Sequence, residues 1–458
     1  MSKIVKSSST SFEDQLYKAM NERFSQLQRK AGLSGGGETR GVYQHSGMCM
    51  LDIVLGGGVP PGGWISAVGP EGSAKSTATQ TIMVNCAGQV PINRMWDYEG
   101  SSDLNYLENI MRTDHIKMSL DELLGVKDKK GNVLVPGRVT YQDANVLEDF
   151  FDIEAAFLRS LPDKLYLDGG WWYCFDDDKY GREMVGGKHD KNMKAKYGKL
   201  CVPAKDGTMQ AILLIDSLPS MLPRSMDVED AKAGMALQAR LFSDNIKKVK
   251  GKLRSKKVTI LAVNQLREKP GVLYGDPLYE PCGQAARFYS DCRIRFSSRS
   301  SVRGIKGKFE EEEGVNGGTD TYMYIHARAH KNKFGAQNVE GWFRVWVSDK
   351  FGKGHGFDPV FDTLEYLNVT GQVEGRRNKL TIRAPGCVNK KSLTHLQFKT
   401  LIIGNVEQVT KVQRDCGMIG KKDKAFRIRN VLKKQMKSGE GLDLFFKHKA
   451  ENGDGQED

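Results

Sequence analysis

The stretch from Gly69 to Thr77 combines the residue types that bind phosphate groups. It reads Gly-Pro-Glu-Gly-Ser-Ala-Lys-Ser-Thr, it follows an apolar run, and a helix-compatible segment begins near Lys75. Backbone N–H groups at a helix N-terminus attract anions because the helix dipole is positive there. In such a loop, Lys75 reaches the outer phosphates of a nucleotide and the Ser76 hydroxyl is available to Mg²⁺. The predicted phosphate-contacting residues are Gly69, Pro70, Glu71, Gly72, Ser73, Ala74, Lys75, Ser76 and Thr77.

One position departs from the usual pattern G-x-x-x-x-G-K-[ST], because Ala74 stands where that pattern has glycine. A Cβ atom there is compatible with helical dihedral angles at a helix start, but it disfavours positive φ. We therefore expect the loop to bind nucleotide, and we expect Ala74 to affect only the rate of turnover.

Two apolar runs end in carboxylates that suit the same site. The run Ile212–Ser217 contains Asp216 after four aliphatic residues, as expected of the carboxylate on the Mg²⁺ side of a P-loop protein. The run Met95–Glu99 ends in Glu99, which is placed to orient or deprotonate an attacking water. The alternative is that Glu99 caps the next helix. Asp97 is the weaker candidate, because strand alternation points it to the opposite face.

Composition limits the classes of protein that the chain can represent. Its 458 residues suffice for roughly two to three domains, and 39% hydrophobic with 27% charged residues is typical of a globular protein. The N-terminus lacks a signal-peptide core, and a run of about 18 apolar residues is absent, so we expect no membrane partner. The eight cysteines are scattered without a C-x-x-C pair, which argues against a disulfide framework and favours a cytoplasmic location.

The positive charge is concentrated near the C-terminus. Residues 376–437 carry 17 Lys and Arg against 3 acidic residues, a local charge of +14, whereas the whole chain carries +13. Such a segment favours a polyanionic partner, and we predict a site for double-stranded DNA there. Alternation in Ala425–Arg429 would place the cations on one face. The alternative is an ordinary solvated surface.

The pattern along the chain predicts an α/β protein with appended segments. Apolar runs alternate with helical segments between residues 51 and 264, which indicates a mostly parallel sheet covered on both faces. Strand-like runs after Ser290 predict a β-meander that extends this sheet. The predicted parts are an N-terminal helix and linker (1–46), a core (47–350) with an insertion (162–208), a small basic C-terminal domain (351–450) and an acidic tail (451–458).

The N-terminal helix is amphipathic, and its apolar residues follow helical spacing: Phe12, Leu16, Met20, Phe24 and Leu27. From this pattern alone, the helix packs either on its own domain or on a neighbouring subunit.

Several segments in order resemble RecA-family recombinases, most closely those of the phage UvsX type. The matching segments are Leu51–Ile53, Gly69–Thr77, Asp97–Tyr106, Ile212–Ser217, Met235–Arg240, Asn264–Arg267, Gly283–Tyr289 and Lys331–Lys333. The resemblance spans about residues 47 to 350. It implies a RecA-like P-loop ATPase core, ATP and Mg²⁺ as cofactors, and an N-terminal helix that docks on the next protomer of a filament.

The resemblance also implies roles for individual residues. Glu99 would activate water, and Gln265 would sense the γ-phosphate. Lys331 and Lys333 would reach the ATP of the neighbouring subunit. Asp103 and Tyr106 resemble the family's adenine and ribose contacts, with the Tyr106 ring stacking on the base, and Phe288 resembles an aromatic residue of the subunit interface.

Two loops would hold single-stranded DNA, the first from about Arg224 to Met235 and the second from about Arg267 to Ala286. Their cations suit phosphates, and their tyrosines suit base stacking. The family often carries an aliphatic wedge where this chain has Pro270, so either Val272 or Leu273 replaces it or the wedge is lost. The alternative is a plain surface loop. The predicted DNA-contacting residues are Arg224, Met235, Arg267, Lys269, Val272, Tyr274 and Arg287.

The resemblance implies a DNA-dependent ATPase that forms helical filaments on single-stranded DNA and promotes homologous pairing and strand exchange in recombination and repair. Its expected location is the cytoplasm, or the host cytoplasm for a phage protein. Two alternatives stay open. One is a ring-forming, hexameric RecA-like helicase or motor, and the other is an ATP-binding filament protein that coats DNA with little hydrolysis.

Overall fold

The structure is a computed structural model. It describes residues 20, 41–100, 103–113, 116, 118–128, 130–143, 146–175, 194–196, 199–225, 231–268, 278–281, 283–298, 301–302, 305–306, 309–313, 319–348, 356–376 and 378–453. The predicted N-terminal helix, apart from Met20, and the end of the acidic tail lie outside these ranges. Within them, no helix is long and apolar enough to cross a bilayer.

The strands, numbered in chain order, have the following bounds. They are β1 (Gly63–Gly69), β2 (Ile92–Asp97), β3 (Val126–Lys127), β4 (Val133–Val135), β5 (Val139–Asp143), β6 (Asp163–Leu167), β7 (Gly170–Phe175), β8 (Lys194–Lys196), β9 (Lys199–Pro203), β10 (Ala211–Asp216), β11 (Val258–Gln265), β12 (Arg267–Glu268), β13 (Leu278–Tyr279), β14 (Cys292–Ser298), β15 (Ser301–Val302), β16 (Ile305–Lys306), β17 (Phe309–Glu313), β18 (Thr319–Asn332), β19 (Glu340–Ser348), β20 (Gly356–Phe357), β21 (Val373–Glu374) and β22 (Thr381–Ile382).

The α-helices are numbered in the same way. They are α1 (Cys49–Leu55), α2 (Lys75–Ala87), α3 (Leu104–Thr113), α4 (Leu120–Leu124), α5 (Leu147–Ser160), α6 (Ala231–Lys250), α7 (Gly283–Tyr289), α8 (Pro359–Val369), α9 (His395–Ile403), α10 (Val406–Asp415), α11 (Ile428–Lys437) and α12 (Glu440–Gly453). A short 3₁₀ helix, Leu218–Ser220, follows β10.

A large mixed sheet forms the centre of the fold. Neighbouring strands in the order β14, β1, β11, β10, β2 and β5 pair in parallel. Every residue of β1 and β10 is buried, as expected for strands covered on both faces. The predicted fold class, an α/β protein with a mostly parallel central sheet and a RecA-like core, is confirmed. Because the strands are parallel, their carboxyl ends share one edge.

Antiparallel strands extend the sheet beyond β14. Strand β18 pairs with β14, β19 pairs with β18, and β20 pairs with β19. The predicted meander is therefore present, and β18, with 14 residues, is longer than β19, with 9. Strand β17, which contains Glu310–Glu313, also pairs with β18. The longer β18 carries the chain as far as Asn332, and this extension positions the lysines discussed below.

The described residues fall into two compact units. The larger comprises Val42–Leu158 and Thr208–Asp458, and the smaller contains Arg159–Gly207. The smaller unit has its own antiparallel sheet in the order β6, β7, β9, β8. A cluster of Leu165, Cys174 and Cys201 fills one face of that sheet, with Trp172 packed against it. The domain bounds given above stay predictions.

The C-terminal helices share a continuous hydrophobic cluster with the main sheet. A buried ion pair reinforces this contact, because Arg429 of α11 donates to Asp362 of α8 at 2.9 Å and also to the Gly47 carbonyl. The same carboxylate accepts the backbone N–H groups of Cys49 and Met50 at the start of α1. These bonds connect α8, α11 and α1.

Candidate nucleotide-binding site and its surroundings

The predicted phosphate-binding loop connects the buried strand β1 to helix α2. Within the loop, the Ser73 hydroxyl donates to the Pro70 carbonyl at 2.7 Å and the Lys75 ammonium donates to the same oxygen at 2.6 Å. Burial lowers the pKa of Lys75, and the carboxylates of Asp216, Glu99 and Glu71 oppose that shift. A desolvated ammonium beside a helix N-terminus is suited to bind phosphate oxygens.

Ala74 adopts a left-handed conformation, with φ 61° and ψ 28°. The sequence-based expectation of helical dihedral angles at this residue was therefore wrong. The loop's path requires the conformation that glycine normally supplies, and an L-residue in it costs roughly 1–2 kcal/mol. Ala74 thus keeps the geometry of the usual pattern at an energetic cost.

Asp216 ends strand β10, and its carboxyl is buried beside the loop. The pKa of Asp216 is raised to about 7, mainly by burial and also by the nearby Glu99 and Asp97, while the Ser76 hydrogen bond and Lys75 oppose the shift. One carboxyl oxygen, Oδ1, has no hydrogen-bond partner among the residues that the structure describes. A carboxylate oxygen and a hydroxyl together suit a hard cation such as Mg²⁺. Ser76 and Asp216 therefore fit the predicted Mg²⁺ site and would hold the ion.

Glu99 is held by two donors at the same edge of the sheet. Its Oε1 accepts a 2.6 Å hydrogen bond from the Ser217 hydroxyl and a 3.0 Å hydrogen bond from the Gln265 side-chain amide. The structure thus brings together Glu99 and Gln265, which were predicted separately. Sequence reasoning missed the role of Ser217, although its position directly after Asp216 was a usable signal. Asp216 and Ser217 are joined by a cis peptide bond.

Asp97 stabilises the turn that carries Glu99 by accepting hydrogen bonds from its backbone. Its Oδ1 accepts the backbone N–H groups of Glu99 at 3.1 Å and Gly100 at 2.9 Å, and its Oδ2 accepts the Tyr141 hydroxyl at 2.8 Å. With both oxygens occupied, Asp97 fixes the backbone that carries Glu99. This arrangement agrees with the choice of Glu99 over Asp97 as the candidate base.

Tyr106 and Asp103 lie at the start of α3. The Tyr106 hydroxyl is 3.1 Å from the Thr77 hydroxyl in the first turn of α2. Burial raises the pKa of Tyr106, and the hydrogen bond with Thr77 opposes this shift. Asp103 is exposed and accepts the backbone N–H of Asn105 at 2.8 Å. Tyr106 is therefore beside the loop, whereas Asp103 acts locally as a helix cap.

The second DNA-loop candidate begins and ends at the same sheet edge. Strand β12 pairs Arg267 with Tyr279 of β13. Next to Tyr279, Glu280 accepts from Arg293 at 2.6 Å and from Asn264 at 3.4 Å. Both ends of the loop are thereby anchored beside Gln265. Three predicted contacts in the loop lie outside the described residues: Lys269, Val272 and Tyr274.

The first loop is described only in part. Arg224 is exposed, it forms an ion pair with Asp149, and its backbone N–H donates to Glu148 at 3.0 Å. Any contact of Arg224 with DNA competes with this ion pair. Met235 belongs to α6, but its side chain is outside the described part of the structure.

Lys331 and Lys333 lie near the amino ends of the parallel strands, whereas the phosphate-binding loop follows the carboxyl end of β1. In the register, Asn332 pairs with Cys292, which pairs with Ile65 near the start of β1. Asn332 therefore lies about 13 Å from Gly69 along the strand direction and about 10 Å from it across the sheet, because two strand spacings separate β18 from β1. The lysines are thus far from the phosphate-binding loop of their own chain.

Two of the predicted residues, Arg287 and Phe288, lie on helix α7, and Lys331 and Lys333 lie beside the end of this helix. The Lys331 ammonium donates to the carbonyls of Arg287 at 3.2 Å and Phe288 at 2.8 Å. Burial, followed by the charge of Lys333, lowers the pKa of Lys331. Lys333 lies 3.6 Å from a carboxylate oxygen of Asp291. Phe288 is 71% exposed, so a large apolar ring stands beside these cations.

The basic C-terminal segment is only partly available to an external polyanion. Arg427 precedes α11 and donates to the Gly404 carbonyl at 2.6 Å, and Arg429 is buried with Asp362. Lys399 is also buried, 3.2 Å from the Tyr322 hydroxyl. The predicted alternating face at Ala425–Arg429 was therefore wrong. Exposed cations of the segment include Lys390, Lys391, Lys411, Arg414, Lys421, Lys422, Lys424, Lys434 and Lys437.

Together, the parallel sheet and the loop between β1 and α2 have the arrangement of a P-loop fold. Residues 203–317 match the family described as RecA N-terminal domain. The chain is 23% identical to Protein RecA of Streptococcus sanguinis (strain SK36) over 373 residues, which is 79% of this chain and 77% of that protein. It is 24% identical to Protein RecA of Streptococcus parasanguinis over 370 residues, 79% and 76% of the two chains.

A shorter segment is more similar to another relative. Over 160 residues, the chain is 34% identical to Protein RecA of Lactococcus lactis subsp. cremoris (strain MG1363), 34% of this chain and 37% of the relative. These matches support a RecA-family recombinase. The closer likeness to phage recombinases is not shown by these matches.

Proposed function

We propose that this protein is a DNA-dependent ATPase that polymerises on single-stranded DNA and promotes homologous pairing and strand exchange, using ATP and Mg²⁺. The observation that supports this best is the Glu99 carboxylate, which Ser217 and Gln265 hold beside Asp216 and Lys75. A carboxylate fixed at a P-loop has the position required to activate water near the γ-phosphate. We place the activity in the cytoplasm.

In this proposal, each residue of the edge has one task. Lys75 and the loop N–H groups bind the phosphates, and Ser76 with Asp216 holds Mg²⁺, which neutralises phosphate charge. Glu99 orients the attacking water and accepts its proton. Gln265 connects this carboxylate to the second DNA loop, because it ends β11 two residues before Arg267, where that loop begins. Between them, the Leu266 N–H donates to the Gly69 carbonyl at 2.9 Å. Tyr106 packs against the base, and Asp103 contacts the ribose.

The opposite location of the lysine pair supports head-to-tail assembly. Lys331 and Lys333 cannot reach the loop of their own chain across about 13 Å of strand, but the adjacent protomer of a polymer can receive them. Phe288 beside them suits a protein interface, because large exposed aromatic side chains are favoured as interface anchors. We propose that Lys331 and Lys333 complete the ATP site of the neighbouring subunit.

Single-stranded DNA is the proposed primary partner, held by the loops that begin at Arg224 and Arg267. Both ends of the second loop are anchored beside Gln265, so an ordered loop can influence Glu99. Double-stranded DNA is the proposed second partner, bound by the exposed cations of residues 376–437 and excluding Arg427, Arg429 and Lys399. The strong salt dependence of phosphate contacts would distinguish this binding from apolar docking.

One experiment tests the core of the proposal. ATP hydrolysis is measured with and without single-stranded DNA, and the same samples are imaged by electron microscopy with a non-hydrolysable ATP analogue. We expect DNA-stimulated hydrolysis and helical filaments. Closed hexameric rings that unwind duplex DNA would favour a motor instead. Filaments without hydrolysis would favour a DNA-coating protein, which the strained Ala74 keeps under consideration.

Substitution of the candidate base sharpens this test. Glu99→Gln should lower the turnover rate by about 10²–10⁴-fold while nucleotide binding persists, because the amide cannot accept the proton. Glu108→Gln, on the exposed face of α3, is the matched control and should leave turnover unchanged. Equal turnover in Glu99→Gln and the parent would remove Glu99 from the mechanism.

Assembly in trans is tested by mixing two inactive proteins. Glu99→Gln lacks the base but retains Lys331, whereas Lys331→Ala retains Glu99. In a randomly mixed filament, about one site in four combines an intact Glu99 with an intact Lys331 from the neighbour, so hydrolysis should recover on mixing. An unchanged rate in the mixture would indicate that Lys331 acts within its own chain.

A further inference from the structure

Two buried thiols face each other in the smaller unit. The Cys201 thiol donates to the sulfur of Cys174, and the two sulfur atoms are 3.1 Å apart. Cys174 is 1% exposed and Cys201 is fully buried. Leu165 completes the cluster that contains them, and Trp172 packs against it. The two sulfurs therefore lie on one face of a sheet, where the Cys174 thiol also donates to the Trp172 carbonyl at 3.9 Å and the Cys201 thiol to the Lys199 carbonyl at 3.7 Å.

The strand register explains why the thiols are so close. Strands β7 and β9 are antiparallel, and Cys174 pairs directly with Cys201. Two residues away, Trp172 pairs with Pro203, which has no N–H to donate. The hydrogen bond lies beside this pair, where the Ala204 N–H donates to the Trp171 carbonyl at 2.8 Å. A hydrogen bond between the flanking residues shows that Trp172 and Pro203 form a non-hydrogen-bonded pair of the antiparallel ladder.

Because the two kinds of pair alternate along a ladder, Cys174 and Cys201 also form a non-hydrogen-bonded pair. In such pairs the Cα atoms lie about 4.5 Å apart and the side chains approach most closely. A disulfide requires a Cα separation of about 4.4–6.8 Å. The backbone of β7 and β9 can therefore accept a disulfide bond without a change of register.

Two other cysteines in the described part of the chain, Cys387 and Cys416, donate to backbone carbonyls and not to a second thiol. In the larger unit, the Cys387 thiol donates to the Ala384 carbonyl at 3.5 Å, and the Cys416 thiol donates to the Gln413 carbonyl at 3.6 Å. These thiols are buried against backbone oxygens within their own turns. They serve as matched references for the pair in the smaller unit.

We propose that Cys174 and Cys201 form a site of reversible disulfide modification, with a low-molecular-weight disulfide such as oxidised glutathione as the oxidant. One cysteine thiolate attacks the glutathione disulfide, forms a mixed disulfide and releases one glutathione thiol. The second cysteine, as its thiolate, displaces the other glutathione. The two cysteines lose two protons and two electrons, and the two glutathione thiols gain them.

The surroundings of the pair determine how fast this reaction proceeds. The hydrogen bond with Cys201, followed by burial, raises the pKa of the Cys174 thiol. Because the thiolate is the nucleophile, oxidation is slow at neutral pH and becomes faster as the pH rises. The modification therefore responds to sustained oxidising conditions, and a dithiol reductant reverses it.

The covalent bond would connect the two central strands of the sheet in the order β6, β7, β9, β8. It would close the chain between residues 174 and 201 into a loop and would reduce the freedom of the unfolded state. Oxidation should therefore make the smaller unit more resistant to proteolysis, whereas the ATP site in the larger unit is not chemically altered.

The test uses the full chain equilibrated with oxidised and reduced glutathione at several ratios and at pH 7 and 8.5. Free thiols are blocked with an alkylating agent, and the protein is digested without reduction. Mass spectrometry then measures the peptide that links Cys174 to Cys201. A parallel sample is unfolded and refolded in the same redox buffer, so that slow access to buried thiols does not limit the result.

We expect the linked peptide to exceed any other linked cysteine pair by about tenfold, because held sulfurs exchange intramolecularly. It should disappear in Cys174→Ser and in Cys201→Ser and persist in Cys387→Ser. The proposal would be overturned if Cys174 and Cys201 formed no disulfide and were both recovered as alkylated thiols from the native and the refolded samples. It would also be overturned if linkages involving Cys387 or Cys416 formed equally often.

Discussion

The Ser217 hydroxyl donates a 2.6 Å hydrogen bond to Oε1 of Glu99, the same oxygen that receives the Gln265 amide at 3.0 Å. Ser217 is fully buried and directly follows Asp216 in the chain. The residue proposed to hold Mg²⁺ and the residue that orients the proposed base are therefore neighbours on one strand end. Displacement of either would be transmitted to the other.

Ser217→Ala should lower the turnover number of the DNA-stimulated ATPase by about tenfold with little change in KM, because Glu99 loses one of two donors that fix its orientation. Ser217→Thr keeps the hydroxyl and should retain most of the activity. Steady-state kinetics with single-stranded DNA measures both. A KM effect without a kcat effect would assign Ser217 to substrate binding.

The buried Asp216 carboxyl predicts a pH-dependent stability. Its pKa is raised to about 7 by burial, compared with about 4 in an unfolded chain. The folded state therefore retains a proton that the unfolded state has lost, and the free energy of unfolding falls as the pH rises from about 4 to 7. Above that range the loss is complete.

Asp216→Asn removes this effect, so without nucleotide and Mg²⁺ the variant should be more stable than the parent at pH 8 and similar at pH 4. Thermal unfolding at both pH values, with the exposed Asp244→Asn as control, measures the difference. Mg²⁺ binding requires the ionised carboxylate, so the affinity of the parent for Mg²⁺-nucleotide should weaken below pH 7. A flat pH profile in the parent would contradict the assignment.

Ala74→Gly should stabilise the protein by about 1 kcal/mol, because glycine adopts φ 61° without the steric cost that alanine bears. Ala78→Gly in the regular part of α2 is the control and should destabilise by about 1 kcal/mol. Denaturant unfolding measures both changes. If both variants lost stability equally, the left-handed conformation of Ala74 would not be strained.

Arg429→Met should destabilise the protein by about 3–5 kcal/mol, because it leaves the Asp362 carboxylate buried without its cation. The double variant Arg429→Met, Asp362→Asn should recover part of this loss. The exposed pair of Arg383 and Glu374 provides the control, and Arg383→Met should change the melting temperature little. Equal effects of the two single variants would argue against a structural role for the buried pair.

The sequence was sufficient to predict the mostly parallel core because the core follows from local patterns. Apolar runs that end in Asp97, Asp216 and Asn264 predicted buried strands with polar carboxyl ends, and parallel pairing then places these ends together. The partnership of Glu99 with Gln265 follows from that topology. Ser217 was not identified because a serine after a strand has many structural roles.

Other features depend on the path of the backbone, which residue types do not specify. The left-handed conformation of Ala74 follows from how β1 enters α2. The alternation around Arg427 and Arg429 predicted that the cations share one face, whereas the chain begins helix α11 at Ile428, Arg427 donates to the Gly404 carbonyl and Arg429 is buried with Asp362. Cys174 and Cys201 are distant in sequence, and only the register of β7 and β9 brings them together.

The separation of the lysine pair from the phosphate-binding loop has a consequence for a polymer built head to tail. If each ATP site needs Lys331 and Lys333 from the next protomer, one end of every filament carries a site without them. A filament then has one complete site fewer than it has protomers, and the deficit matters most in short filaments. Hydrolysis per protomer should therefore rise with filament length and approach a plateau, so that breaking a filament lowers total activity in proportion to the new ends.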